Sequence, residues 1–274
     1  MPLRIDFVTI FPNMFAPLIA EGVIARGIKS GLLDIRVHDL RDFTTDKHRS
    51  TDDEAYGGGP GMVMLAEPVL RCVESIRAEG QGPRAEGGAP EAEAEAGGAE
   101  ALGPRPSALG PQPHIVMTSP QGRRFDQRVA LELVGKQHVV FLCGRYEGFD
   151  HRVHEELQPD EISIGDFVVS GGELPAMLMA DAMGRLVPGV VGNSGSVEED
   201  SFFRGLLDYP HYTRPVELRG RRIPEILLSG HHENIRKWRK EQALRATLEK
   251  RPDLLDSAEL DAEAREILRR LAKF

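Results

Sequence analysis

Short apolar runs alternate with segments of helical periodicity over the first two thirds of the chain. The apolar runs predict strands at 3–11, 33–37, 62–65, 114–118 and 138–143. Apolar residues at helical spacing predict helices at 12–30, 67–77, 126–134 and 174–187. Because strands and helices alternate in this order, we expect an α/β domain with a parallel sheet.

Two apolar runs end in glycines that stand beside polar groups. Residues 139–143 lead into GRYEG, and residues 162–169 lead into SGGE, where Ser170 and Glu173 have the spacing of a capping box. Both runs are predicted to be buried strands of the parallel sheet. At the carboxyl ends of such strands, glycine lets the main chain approach a ligand closely. The pattern therefore predicts a pocket made mostly of main-chain groups.

The glycine spacing excludes the common phosphate-binding loops. The chain contains no G-x-x-x-x-G-K-S/T, and no G-x-G-x-x-G followed about twenty residues later by an acidic residue. A pyrophosphate is therefore not the expected ligand. Taken alone, the glycine spacing favours an ordinary structural loop over a ligand-binding site.

Composition divides the chain into parts. Residues 78–113 consist mainly of Gly, Ala, Glu and Pro without an apolar pattern, which predicts a disordered surface insertion. An aromatic loop at 208–215 and helices at 233–250 and 257–273 predict a small helical domain. Between the domains, small and acidic residues predict a flexible linker. The predicted α/β domain, linker and helical domain are at 1–191, 192–203 and 204–274.

The net charge of −9 conceals two parts of opposite charge. Residues 203–274 carry 16 Lys and Arg against 12 Asp and Glu, a local charge of +4. The preceding part carries −13, and six Glu with two Arg in 78–113 supply −4 of it. A basic module of this kind is compatible with a nucleic-acid partner although the whole chain is acidic.

The two cysteines and the amino terminus bear on the compartment. Cys72 and Cys143 stand in apolar contexts without a C-x-x-C partner, so neither a disulfide framework nor a zinc site is expected. Residues 1–11 lack the long apolar core of a signal peptide. No uncharged stretch reaches the roughly 18 residues that a membrane span requires. We expect a reduced, cytoplasmic protein with no membrane partner.

Several segments together resemble one family. CGRYEG at 143–148 and SIGDFVVSGGELPA at 163–176 closely resemble its signature. The other matching segments, in the family's order, are RDFT and DKHR at 41–49, YGGGPGM at 56–62, SPQGR at 119–123, DYPHYTRP at 208–215 and LSGHH at 228–232. The chain thus resembles the TrmD family, the bacterial tRNA (guanine-N1)-methyltransferases of the SPOUT superfamily, over nearly its whole length.

The resemblance implies a fold and a reaction. The fold is a SPOUT-type α/β domain with a knotted parallel sheet, which binds S-adenosylmethionine, and a small helical domain that binds tRNA. The reaction is methyl transfer to N1 of guanosine at tRNA position 37, on the 3′ side of the anticodon. Two alternatives stay open: a SPOUT methyltransferase that acts on another RNA, and a noncatalytic RNA-binding protein with an inherited pocket.

The resemblance also implies an assembly and an ion. Family members are homodimers in which the linker of one subunit closes over the cofactor of the other. The expected ion is Mg²⁺, and no residue of this sequence is assigned as its ligand.

Two catalytic residues follow from the resemblance. Asp200 would be the general base that accepts the N1 proton, and Arg185 would stabilise the negative charge left on the ring. By itself, Asp200 is more typical of a solvated linker acid. Arg185 stands four residues after Asp181, which is the spacing of an intrahelical ion pair.

The cofactor-binding residues are carried over in the same way. Glu147 is one of them, and its alternative is a structural ion pair with Arg145 or Arg152. The full set is Ser119, Pro120, Gly144, Tyr146, Glu147, Ile164, Gly165, Asp166, Phe167, Val168, Val169, Gly171 and Gly172.

Positive charge suggests where tRNA would bind. Residues 219–222 (RGRR) and 236–240 (RKWRK) are clusters suited to phosphate contacts. Trp238 either stacks on a base or anchors its helix, and the second interpretation is favoured. His231 and His232 have no third metal ligand nearby, so a metal site is not expected there.

Overall fold

The structure is a computed structural model that describes residues 1–79, 112–192 and 199–272. The chain divides into two compact units, Met1–Val190 and Val191–Phe274. The predicted insertion at 78–113 lies outside the described residues except at its two ends, and so do residues 193–198 of the predicted linker. The functions of the predicted domains stay predictions.

The elements are numbered in chain order. The strands are β1 (Leu3–Thr9), β2 (Leu33–Asp39), β3 (Asp52–Glu54), β4 (Met62–Met64), β5 (His114–Arg124), β6 (His138–Leu142), β7 (Asp160–Ser163), β8 (Glu217–Leu218) and β9 (Arg221–Arg222). The α-helices are α1 (Ala16–Ala20), α2 (Gly22–Lys29), α3 (Ala66–Glu79), α4 (Gln127–Gly135), α5 (Arg152–Leu157), α6 (Glu173–Leu186), α7 (His232–Lys250) and α8 (Ala262–Leu271).

The first unit is built on a five-stranded parallel sheet in the order β2-β1-β6-β5-β7. Ile5 and Phe7 of β1 belong to an apolar cluster with residues of α2, α4 and α6. Val8 belongs to a second cluster, with residues of α3. Because successive residues of a strand point to opposite faces, β1 contributes to the core on both sides of the sheet. This confirms the predicted α/β class; the knot stays a prediction.

One carboxylate is buried within this sheet. Asp6 has no exposed surface, and it accepts hydrogen bonds from Arg4 Nε at 2.8 Å, His38 Nε2 at 2.7 Å and His138 Nε2 at 2.8 Å. Burial alone would raise the pKa of Asp6, but the hydrogen bonds from His138, His38 and Arg4 outweigh it and hold the pKa far below its ordinary value. The Asp6 carboxylate therefore links β1, β2 and β6 through its hydrogen bonds to Arg4, His38 and His138.

The first predicted helix, 12–30, is interrupted. A 3-10 turn at Pro12–Phe15 and helix α1 precede α2. Glu21, between α1 and α2, is extended, with φ −132° and ψ 162°. Gly22, the first residue of α2, has φ +76°. A left-handed residue cannot continue a right-handed helix, so the glycine fixes the break. Gly31, at φ +71°, follows the end of α2 as predicted.

Two predictions beside the glycine-rich segments were wrong in detail. The strand predicted at 162–169 ends at Ser163, and Gly165 at φ +147° turns the chain out of the sheet. Ser170 and Glu173 do not form a capping box. The N-cap of α6 is Gly172, without a side-chain hydrogen bond, and Glu173 is fully buried.

Two further elements differ from their predictions. The strand predicted at 62–65 is β4, which pairs antiparallel with β3 outside the main sheet. The helix predicted at 257–273 begins only at Ala262, because the Asp261 carboxylate caps it by accepting a hydrogen bond from the Ala264 amide at 2.8 Å.

In the described part of the second unit, the regular elements include α7, α8, two 3-10 turns and one hairpin, which are joined by long turns. Its apolar core contains Leu244 of α7 with Ala264 and Ile267 of α8. The antiparallel pair β8 and β9 forms an exposed hairpin. Trp238 is half-buried and lies 6.5 Å from the Tyr212 ring between centroids, outside the apolar core cluster, so it does not anchor α7 in that core.

Candidate active site

A cavity of about 500 Å³ lies at the carboxyl ends of β6 and β7 and beside residues 117–121 in the middle of β5, where the strand is irregular. This volume is within the range of small-molecule sites. Gly165 and Asp166 are not part of its lining. The other predicted cofactor-binding residues all line it: Ser119, Pro120, Gly144, Tyr146, Glu147, Ile164, Phe167, Val168, Val169, Gly171 and Gly172. Their role in binding stays a prediction.

The base of the cavity is a close approach of two main-chain segments. The Gly172 amide donates a hydrogen bond to the Gly144 carbonyl at 2.8 Å. A Cβ on Gly172 would lie 2.1 Å from Thr118 Oγ1 and 2.8 Å from Cys143 Cα. The start of α6 can therefore meet the end of β6 only because residue 172 has no side chain.

The loop after β6 is held by β4 and contacts Gly61, which precedes β4. The Glu147 amide donates to the Met62 carbonyl at 3.0 Å, and the Met64 amide donates to the Gly148 carbonyl at 2.9 Å. A Cβ on Gly61 would lie 2.6 Å from Glu147 Oε1. Gly61, the residue before β4, therefore packs against Glu147, which lines the cavity.

A largely buried ion pair borders the cavity, and one of its members, Arg145, is part of the lining. Arg145 Nε donates to Glu173 Oε2 at 2.8 Å, and the side chains are 15% and 0% exposed. The Thr9 hydroxyl donates to Glu173 Oε1 at 2.8 Å. The structural alternative for Glu147 is wrong, because Arg145 pairs with Glu173 instead.

The other candidate partner of Glu147 is also engaged elsewhere. Arg152 pairs with Asp150, and this hydrogen bond lowers the pKa of Asp150 to about 2. Among the residues described, Glu147 forms no ion pair, and its side chain lies against Gly61.

One wall of the cavity is the loop that replaces the predicted end of β7. The Ser163 hydroxyl accepts a hydrogen bond from the Gly165 amide at 3.2 Å, and the Phe167 amide donates to the Gly165 carbonyl at 2.9 Å. These bonds shape a tight turn. Phe167 and Val168 are 57% and 85% exposed, so the turn presents apolar side chains to solvent.

Sequence reasoning missed a polar part of the lining. His151, His154, Glu161 and Gln121 also face the cavity. The His151 and His154 rings stack at 5.3 Å between centroids, and His154 Nδ1 is 3.3 Å from Glu161 Oε1. The only sequence signal was the spacing of two histidines on one helical turn, which by itself does not predict a ligand site.

Comparison with known proteins decides the family. The family model described as tRNA (Guanine-1)-methyltransferase TrmD matches residues 3–86 and 98–257. The chain belongs to this family. The internal gap in this match, 87–97, falls within the predicted insertion.

Named relatives of the TrmD family match over almost the full length. The chain is 47% identical over 266 residues to the tRNA (guanine-N(1)-)-methyltransferase of Geobacter metallireducens, which covers 97% of this chain and 96% of the relative. It is 45% identical over 271 residues to that of Geobacter sulfurreducens, with 99% and 98% covered. Identity to the Bacillus cereus protein of the same name is 41% over 271 residues, with 99% of each covered.

Arg185 lies far along the helix that starts at the cavity. Helix α6 begins at Glu173, and a rise of 1.5 Å per residue puts Arg185 about 18 Å further on. Leu174, Leu178 and Arg185 are exposed on the same face of α6. Within its own unit, this TrmD-family chain therefore does not place Arg185 in the cavity lining.

Asp200 stands in a tightly bonded turn of the second unit. The Phe203 amide donates to the Asp200 carbonyl at 3.3 Å. On either side of Asp200, the Tyr209 hydroxyl donates to Glu199 Oε2 at 2.9 Å, and the Asp208 amide donates to Ser201 Oγ at 2.9 Å. Asp200 is half-buried. The residue is therefore part of an ordered turn rather than a solvated linker acid.

The two basic clusters of the second unit differ in how their charge is used. Arg236 pairs with Glu233 and Glu263, and Lys240 pairs with Asp261 and Glu263. Hydrogen bonds from Lys240 and then Arg236 lower the pKa of Glu263.

The hairpin cluster lacks such neutralisation. Arg219, Arg221 and Arg222 are all exposed. Within the described part of the chain, none of the three has a carboxylate within ion-pair distance. The RKWRK cluster is thus partly neutralised, while the RGRR cluster keeps its positive charge available.

The described residues contain neither a metal-binding cluster nor a membrane-spanning helix. Over residues 1–79, 112–192 and 199–272, no group of three or more His, Cys, Asp or Glu side chains is placed to hold a metal ion. In the same ranges, no helix combines the length and apolar character of a membrane span. Cys72 and Cys143 are both buried and unbridged.

Proposed function

We propose that this protein transfers a methyl group from S-adenosylmethionine to N1 of guanosine at tRNA position 37, giving 1-methylguanosine. The observation that carries the proposal is the match to the TrmD family over residues 3–86 and 98–257, together with the signature glycines Gly144, Gly171 and Gly172 that line the cavity. The cradle lined by these glycines suits the cofactor because the cavity has the volume of a small-molecule site, and because glycine at 172 lets the start of α6 approach Cys143 and Gly144 closely. Recognition of the guanine ring requires that the base leaves its stack.

The chemistry needs a proton acceptor and a positive charge. S-adenosylmethionine supplies an electrophilic methyl group on a sulfonium. The Asp200 carboxylate accepts the N1 proton while the N1 electron pair forms the new bond to the methyl carbon. The bond between methyl and sulfur breaks, and its electron pair stays on sulfur. The Arg185 guanidinium stabilises negative charge as it develops on the guanine ring.

We also propose that the active site forms between two copies of the chain. Leu174 and Leu178 are 51% and 49% exposed on the face of α6 that continues to Arg185. Phe167 and Val168, in the cavity wall, are exposed as well. Exposed apolar side chains close to a cavity are typical of a protein interface. A second subunit that covers this surface would contact Arg185 on α6. The Asp200 of each chain would then act on the pocket of its partner.

Mixed dimers test this arrangement. Co-expression of Asp200→Asn and Gly172→Ala chains would give mixed dimers in which one of the two sites has an intact pocket and an intact Asp200. With random pairing, and with S-adenosylmethionine well below the Kd of Gly172→Ala, about one quarter of wild-type activity returns, although each variant alone has little activity under these conditions. No return of activity would show that each chain builds its own site.

For RNA, we propose the exposed hairpin of the second unit as the main phosphate contact. Arg219, Arg221 and Arg222 are the available cations. On the same unit, Tyr209 lies beside His211, at 4.6 Å between ring centroids, and below Arg239, at 4.9 Å, and we propose this aromatic cluster as a second RNA contact. The expected Mg²⁺ ion does not fit any described side-chain cluster, so no ligand and no step are assigned to it.

The alternatives are separated by one assay. Labelled methyl from S-adenosylmethionine is offered to tRNA transcripts with G or A at position 37. We expect incorporation only with G, and mapping of the product to N1 of that base. Equal incorporation into both transcripts would indicate another RNA site, and binding without incorporation would indicate a noncatalytic RNA-binding protein.

A further inference from the structure

The most completely buried carboxylate near the cavity has no role in the chemistry described above. Glu173 is the first residue of α6, it has no exposed surface, and it does not line the cavity. A buried charge is costly unless it is fully paired and hydrogen-bonded. Each Glu173 oxygen has a partner, Thr9 Oγ1 on one and Arg145 Nε on the other, both at 2.8 Å.

These contacts join three chain segments that are distant in sequence. Thr9 ends β1, and its hydroxyl also accepts a hydrogen bond from the Phe11 amide at 2.9 Å. Arg145 follows β6, and its Nη1 donates to the Ser170 carbonyl at 3.1 Å. The Arg145 guanidinium also lies 4.5 Å from the centre of the Phe11 ring. Glu173, the first residue of α6, is therefore hydrogen-bonded both to the end of β1 and to the loop after β6.

Two of the three joined segments, the loop after β6 and the residues just before α6, line the cavity. Gly144 and Tyr146, on either side of Arg145, line the cavity, as do Gly171 and Gly172 just before Glu173. A Cβ on Gly171 would lie 2.2 Å from Arg145 Nε, so the guanidinium packs directly on that segment. Arg145 therefore contacts both sides of the cradle, since its main chain follows Gly144 and its guanidinium packs against Gly171.

We propose that Glu173 is a positioning residue for the cofactor: through Arg145 and Thr9 it sets the separation of the two main-chain walls that hold S-adenosylmethionine. The inference rests on the proposed function, because it assumes that this cavity binds the methyl donor. The inference goes beyond that function because it assigns the shape of the pocket to Glu173, a side chain that does not line the cavity.

Glu173→Gln is the main test, with Asp6→Asn as the matched control. Both remove the charge of a fully buried carboxylate in the same unit. The partners of Asp6, which are Arg4, His38 and His138, do not line the cavity. Thermal unfolding is followed for each variant, and the Kd for S-adenosylmethionine is measured by calorimetry well below the unfolding midpoint.

We expect both variants to unfold at lower temperature, and only Glu173→Gln to bind S-adenosylmethionine more weakly, by tenfold or more. The KM for S-adenosylmethionine should rise with it, while the KM for tRNA stays close to that of the wild type. An unchanged Kd in Glu173→Gln, or equal weakening in Asp6→Asn, would overturn the proposal. If the wild-type protein itself fails to bind S-adenosylmethionine, the proposed function fails rather than the positioning role.

Thr9→Val decides the matter if Glu173→Gln does not fold. Valine keeps the shape of threonine and the Arg145–Glu173 pair, and it removes only the hydroxyl that donates to Glu173. We expect a folded protein with a Kd for S-adenosylmethionine raised about threefold. A Kd equal to that of the wild type would show that the network is structural only.

Discussion

The amide of Gly172 and the carbonyl of Gly144 are joined by a 2.8 Å hydrogen bond across the base of the cavity. This bond brings the amino end of α6 against the carboxyl end of β6. It requires a glycine at 172, because the position of a Cβ there is occupied by Thr118, Cys143 and Gly144 atoms within 2.9 Å.

Gly172→Ala should therefore widen the cradle. The added methyl meets main-chain atoms that cannot move independently, so we expect a lower unfolding temperature and at least tenfold weaker binding of S-adenosylmethionine by calorimetry. Gly135→Ala is the matched control, since a Cβ at Gly135 meets nothing within 4 Å. That control should change stability by about 0.5 kcal/mol or less and leave the Kd unchanged. Wild-type affinity in Gly172→Ala would mean that the cofactor does not use this cradle.

Asp200→Asn tests the general base. An amide cannot accept the N1 proton as a carboxylate does, so kcat should fall by about 10²–10⁴ while the Kd for S-adenosylmethionine is retained. Single-turnover methyl transfer and calorimetry measure the two quantities. Asp253→Asn removes another acidic group of the same unit and should leave kcat within twofold. Near-normal turnover of Asp200→Asn would remove this residue from the base role.

The hairpin and the helix of the second unit should differ in tRNA binding. Because Arg236 is paired with Glu233 and Glu263, Arg236→Gln should weaken tRNA binding only slightly. Arg221→Gln with Arg222→Gln removes exposed charge and should weaken binding strongly. Each lost phosphate contact lowers the slope of log K against log salt by about 0.7–0.9. Filter binding at several salt concentrations measures this slope, and a larger effect from Arg236 would contradict the assignment.

Asp6 predicts a pH dependence of stability. Its folded-state pKa lies well below the ordinary value, so its contribution is complete above the unfolded pKa of about 4 and is lost as the pH falls below that value. Asp6→Asn should destabilise the protein by about 3 kcal/mol near neutral pH, because the hydrogen bonds of Arg4, His38 and His138 lose a charged acceptor. Denaturant unfolding should show the gap between wild type and variant shrinking as the pH falls from about 5 to about 2.5. A gap that stays constant over this range would show that the Asp6 charge is not the source of the difference in stability.

Much of the first unit was predictable because its signals are local. An apolar run, a helical period and a glycine each act over a few residues, so β1, β2, β6 and α4 are found where the pattern puts them. Four glycines of the two signature segments, Gly144, Gly148, Gly171 and Gly172, line one cavity, whereas Gly165 does not. Gly22 is the counter-example, since its left-handed conformation breaks a helix whose apolar periodicity continues past it.

Long-range contacts account for what the sequence could not predict. Ser170 and Glu173 have the spacing of a cap, but burial beside Thr9 and Arg145 gives Glu173 better partners than its own helix amides. In the sequence, Arg236 and Lys240 belong to a cluster suited to phosphate contacts. In the folded protein they pair with Asp261 and Glu263 at the start of α8. The sequence by itself determined the order of the elements and the glycines that open the pocket. Only the tertiary structure decided which charges are already satisfied, because the partners of a charge are chosen by proximity in space.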